Sequence, residues 1–237
     1  MSNTITTINL NNLAIALIPA LLVLLIFIRW SLSIVQPTYA LMRMLTQLLL
    51  VGYALSYIFA SQSSGLILII LVIMCLASGW IALGSITKQR GNLFKYAFMA
   101  IALGGGLTLA LMTQGTLHLS PWYTPHYMIP IAGMIFANSM NSVSLAAERL
   151  HSEYQNNADY TLARNTAFHA AMIPVINSLF AVGLVSLPGM MTGQILSGIS
   201  PFIAARYQIM VMAMIFGSSG LSTAIYLSTV KPIYLKS

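Results

Sequence analysis

The chain is 237 residues long, 58% hydrophobic and only 5% charged, with ten Lys and Arg against three acids and a formal charge of +7. Soluble domains carry about 25% charged residues, so this chain cannot clothe itself in a solvated surface and reads as an integral membrane protein. No basic patch is interleaved with aromatics, which leaves nucleic acid without a footprint.

Residues 1–28, 44–87, 96–147, 165–205 and 207–230 carry no charge, while Glu148, Glu153 and Asp159 fall within a single twelve-residue stretch. A span needs roughly 20 apolar residues to cross about 30 Å of hydrocarbon. Seven segments qualify, near 10–28, 39–60, 66–87, 96–117, 127–147, 166–187 and 207–230. The expected fold is therefore all-α and polytopic, about seven transmembrane helices in one domain, 1–237, with the lipid bilayer as its first partner. The tracts are too long and too continuously apolar for barrel strands.

Orientation follows from the basic residues in the links. Arg29, Arg43, Lys88, Arg90, Lys95, Arg149, Arg164, Lys231 and Lys236 fall on one side of a seven-span arrangement and Arg206 alone on the other. The larger set marks the cytoplasmic side, with the N-terminus outside and the C-terminus inside. Residues 1–9 have no basic run, so the first span does not read as a cleaved signal peptide.

Enzymatic motifs do not occur. No Gly-Lys pair exists for a phosphate-cradling loop, and no carboxylate falls within the spans to couple transport to protons. Cys75 is the one cysteine, so no internal disulfide can form. His118, His126, His151 and His169 divide between the two sides. The fifteen methionines serve either as flexible packing or as thioethers for a soft metal.

Three places rise above this background. Arg43 and Gln47, four apart near the start of the second span, share a helical face and serve as an interfacial anchor or a path residue. Asn138 and Asn141 crowd the fifth span with Ser139, Ser142 and Ser144; such amides either glue helices together or line a wet path. The segment 188–203 holds Pro188, Gly189, Gly193, Gly198 and Pro201 and breaks any continuous helix while staying apolar. It reads as a gate at membrane depth or as an extracytoplasmic cap.

Three stretches carry a family resemblance. They are Ile129–Met134 with Asn138, Met140 and Asn141; the block Gly183-Leu-Val-Ser-Leu-Pro-Gly-Met-Met-Thr-Gly193; and Arg206-Tyr-Gln-Ile-Met210. With Arg43, Gln47, Gly52, Tyr53 and Tyr57–Phe59, they closely resemble the FetB-type family. These are ABC-transporter permeases linked to bacterial iron export and similar to plant aluminium-tolerance permease subunits. The resemblance covers residues 40–230 and implies a multi-pass permease of the bacterial inner membrane, without catalysis of its own. It would pair as a homodimer with a separate ATP-binding subunit. The chain would bind no cofactor itself, and the partner would use the ATP. Candidate path residues are then Arg43, Gln47, Asn138, Asn141, Met190, Met191, Gln194 and Gln208; a metal-ligand set is not assigned.

One departure concerns the link at about 148–165, which looks shorter than the family's coupling helix and holds no glycine. Its Glu148, Arg149, Glu153, Asp159 and Arg164 are the candidates for ATPase coupling. An ion-coupled secondary transporter and an uncoupled, degenerate permease are the alternative readings.

Overall fold

The computed structural model describes residues 9–61, 63–156 and 159–234; Lys236, counted above in the charge argument, lies outside them. Among the described residues the regular structure is helical, with one isolated bridge, Val182 to Ser186, in place of a strand. The chain divides into two compact units, residues 1–61 and 62–237.

The first unit holds α1 (Leu10–Ala16), α2 (Ile18–Arg29) and α3 (Val35–Ala60). Pro19, in the first turn of α2, lacks the N–H that would continue a helix. A turn at Ser31, with φ of 55°, then leads to α3. Neither α2 nor α3 buries a side chain within its own unit. Leucine, isoleucine and valine dominate the surface of α2, whereas α3 also exposes Arg43 and Gln47.

The second unit is a bundle of α4 (Ser64–Ala82), α5 (Arg90–Ala110, continued by a π-type turn, Leu111–Thr116), α6 (Pro125–Gln155), α7 (Tyr160–Ala181) and α9 (Pro201–Thr229). The short α8 (Gly189–Leu196) and α10 (Lys231–Tyr234) flank α9. α9 is the centrepiece and packs on α5, α6 and α7. The core includes Ile67, Leu93, Ile101, Ile135, Leu150, Met214 and Tyr226, all fully buried. In hydrocarbon, association depends on close backbone approach, and α5 and α9 meet that way. A Cβ on Gly104 would lie 2.6 Å from the backbone nitrogen of Ser222.

By length and composition, six helices among the described residues can cross a membrane: 12–29, α3, α4, α5 with its π-type turn, α6, and α9 through α10. α7 has 22 residues, but Arg164, Asn165, His169 and Asn177 dilute it, and it falls outside the six. The expected span limits shift throughout. α4 ends at Ala82 where 87 was expected; α5 starts at Arg90 where 96 was expected, so Arg90 and Lys95 sit in its first two turns. α6 runs eight residues past 147, α7 covers 160–181 where 166–187 was expected, and α9 starts at 201 and includes Arg206. Charge marks the edge of the apolar tract, whereas backbone hydrogen bonding carries a helix past it. α7 instead stops early although 182–187 is mostly apolar, because Gly183 adopts φ of 85° and its N–H bonds the Ser186 carbonyl.

Candidate functional site

Two adjoining cavities lie between α6, α7 and α9. The larger, about 350 Å³, is lined by Met134 and Asn138 of α6, Ser178 of α7, and Gln208, Met212 and Ile215 of α9. The segment after α7 closes it with Ser186, Pro188, Gly189 and Met190. The smaller, about 100 Å³, continues one turn along α6 past Asn141 and Ser142 and shares Asn138, Ser178 and Ile215 with the first. A third cavity of about 420 Å³, almost wholly apolar, is lined by Met191, Gln208 and Met212 with Leu179 and Ile209. Gln208 thus belongs to two of the three. None of the residues lining these cavities is charged.

Local sequence explains much of this shape. Asn138 and Asn141, three apart, fall on one face of α6. Nδ2 of Asn138 donates to the Met134 carbonyl at 2.8 Å, a bond within its own helix. Pro174 inside α7 has no N–H for the carbonyl one turn back, and the Ser178 hydroxyl donates to the Pro174 carbonyl at 2.9 Å. This loosened turn faces the smaller cavity. Gln208 is 5% exposed, and among the described residues neither its Oε1 nor its Nε2 has a partner.

Four of the expected path residues, Asn138, Asn141, Met190 and Gln208, therefore line the two adjoining cavities. Met191 lines the third cavity, which shares Gln208 and Met212 with the first. Gln194, further along α8 with a buried Oε1 that has no partner among the described residues, lies outside the lining of all three. Arg43 and Gln47 belong to the first unit, one turn apart and both exposed on α3. With α3 starting at Val35, Arg43 sits about 12 Å along the helix at 1.5 Å per residue. Sequence reasoning missed Met134, Ser178 and Met212 as lining residues; the Pro174–Ser178 spacing was the available signal. It also missed the hydroxyl row of α9, where Ser219, Ser222 and Thr223 are buried with no hydrogen-bond partner among the described residues. No three of His, Cys, Asp or Glu cluster among the described residues.

The expected coupling link is mostly helix. Glu148, Arg149 and Glu153 lie on α6, where Arg149 and Glu153 pair at 2.6 Å. Asp159 caps α7, its carboxylate accepting from the Thr161 N–H at 3.0 Å. The Arg164 guanidinium donates to Oδ1 of Asn165 beside a cavity of about 330 Å³ shared with Leu227 and Ser228. Two tyrosines tie this end to the C-terminal helices: the Tyr160 hydroxyl donates to the Leu227 carbonyl, and that of Tyr154 to the Tyr234 carbonyl. Arg90 turns inward, its guanidinium donating to the Trp80 carbonyl at 2.6 and 3.0 Å and stacking 4.0 Å above the Trp80 ring.

An uncharged cleft inside a bundle of apolar helices defines a polytopic helical membrane protein. The chain belongs to the family described as "Uncharacterised protein family (UPF0014)", whose model matches residues 10–164 and 158–234, the two matches overlapping where α7 begins. It is 36% identical over 232 residues to "Probable iron export permease protein FetB" of Escherichia coli, covering 90% of this chain and 87% of that one. Against "UPF0014 membrane protein slr1647" of Synechocystis the identity is 35% over 206 residues, 79% and 78% of the two chains. Against "Protein ALUMINUM SENSITIVE 3" of Arabidopsis thaliana it is 32% over 226 residues, 89% and 81%. No solved structure matches.

Proposed function

We propose that this chain is the membrane-spanning permease subunit of an ABC transporter, exporting a metal such as iron and driven by a separate ATP-binding subunit. Two permease copies would sit on two ATPases in a bacterial plasma membrane, with the N-terminus outside and the C-terminus in the cytoplasm. The observation that carries the reading is the uncharged space between α6, α7 and α9. It gathers Asn138, Asn141, Met190 and Gln208 and is closed by the Pro- and Gly-broken segment after α7, which acts as the gate. The similarity to the probable iron export permease FetB of Escherichia coli supports both the permease class and the metal. The charged faces of α6 and α7, from Glu148 to Arg164, form the docking surface for the ATPase. The chain itself binds no cofactor and catalyses no reaction.

The test is uptake of radioactive iron into inverted membrane vesicles containing this chain and its ATP-binding subunit. Uptake that needs ATP and both proteins is expected. Uptake driven by an ion gradient in the absence of the ATPase would replace this reading with a secondary transporter.

A further inference from the structure

Gln208 is the most deeply buried polar residue lining the two larger cavities, and among the described residues its amide has no partner. It is 5% exposed, lines the spaces of about 350 and 420 Å³, and leaves both amide atoms unbonded among the described residues. Buried amides are expensive to leave unmet, so a group outside the protein is the natural partner. A carboxamide offers an acceptor oxygen and two N–H donors on one rigid plane. Around it stand the thioethers of Met134, Met190 and Met212 and the Asn138 amide, all neutral.

A bare di- or trivalent cation suits this wall poorly. It could take Oε1 of Gln208 but would strand both N–H donors, and no lining carboxylate offsets its charge once its water is removed. A molecule with no net charge, bearing a hydroxyl for the oxygen and a carbonyl or second hydroxyl for the nitrogen, meets the amide completely. The volume agrees, because pockets of roughly 300–1,000 Å³ hold small organic ligands, while a naked ion fills a small fraction of that space.

We propose that Gln208 is the residue that reads the cargo, and that the cargo enters as a net-neutral, oxygen-rich small molecule, either free or wrapped around a metal ion. This rests on the reading of the cavity as the transport path.

The experiment measures binding to the full chain in detergent micelles, by saturable shift of the thermal unfolding temperature. Three probes are compared: ferrous ion alone, the neutral hydroxypyranone maltol alone, and the neutral tris(maltolato)iron(III) complex. Saturable binding of one of the neutral probes, with no saturable effect of the bare ion, is expected. A response to maltol alone identifies a free solute; a response to the complex only identifies a chelate. Gln208→Leu, which removes an unmet amide from an apolar wall and so retains folding, should weaken that binding at least tenfold. Gln208→Glu, similar in shape but anionic, should reverse the order and admit the ferrous ion. Ferrous ion binding to the unaltered chain as tightly as the neutral probes overturns the inference, as does an unchanged affinity in Gln208→Leu. The path reading survives either result if Asn138→Leu still abolishes vesicle transport. If no probe binds and both variants transport normally, inference and path fall together.

Discussion

The hydroxyl of Tyr160 donates to the backbone carbonyl of Leu227, fastening the first turn of α7 to the end of α9. Gln208 lies nineteen residues back along α9, about 28 Å at 1.5 Å per residue. One rigid helix therefore joins the charged end of the bundle to the cavity. Tyr160→Phe keeps the ring and removes the donor, leaving a buried carbonyl short of a partner. A loss of about 1 kcal/mol is expected, read as a lower unfolding temperature in detergent; an unchanged temperature would show that the bond contributes nothing.

Gly104 and Gly106 offer a matched pair on α5. A Cβ at 104 meets the backbone of Ser222, whereas one at 106 meets nothing within 4 Å. Gly104→Ala should cost about 1–3 kcal/mol through overpacking. Gly106→Ala should be neutral or stabilise by up to about 1 kcal/mol from helix propensity. Equal effects in thermal unfolding would mean that the α5–α9 crossing is looser than described.

Asn138→Leu and Asn141→Leu separate path from packing. Interhelical amide bonds in membranes average only about 0.6 kcal/mol, and the Asn138 amide bonds within its own helix. Both variants should accumulate and fold normally yet lose most ATP-dependent vesicle transport. Wild-type transport, or failure of both to accumulate, would make this face of α6 structural.

The docking surface is tested by charge, because removing 150–160 would also remove Tyr154 and Tyr160. Glu148→Lys with Glu153→Lys should abolish co-purification with the ATP-binding subunit. Stability should change by less than about 1 kcal/mol, since the one ion pair affected lies at the surface. Persistent co-purification would move the docking surface to the Lys88–Lys95 link.

Reporter fusions decide the topology, including the crossing of α7. Fusions after Gln89 and Asn156 should read cytoplasmic; those after Ser120 and Leu187 should read extracytoplasmic. A cytoplasmic signal after Leu187 alone would remove α7 from the set of spans.

Composition by itself determined the environment. With 5% charge and long tracts bare of it, backbone polar groups in hydrocarbon can be satisfied only inside helices or closed barrels, and tract length selects helices. Within 188–203 some Pro and Gly act locally and some do not: α8 ends before Gly198, which takes φ of 87°, and Pro201 opens α9, whereas Gly189 and Gly193 lie inside α8. Helix ends were read less well at Glu148 and Arg206, since a charged side chain does not stop the i→i−4 hydrogen bonds that hold a helix together.

Only the tertiary structure decided which polar residues share a space. Ser178 and Gln208 are thirty positions apart and carry no common pattern, yet both line one cavity because α7 and α9 pack side by side. Gln194, also named from the sequence as a path candidate, falls outside that lining. Membership of the site depends on the rotation of each helix about its axis, and that rotation is set by contacts such as Gly104 on Ser222. Periodicity within one helix cannot specify it when nearly every face is apolar.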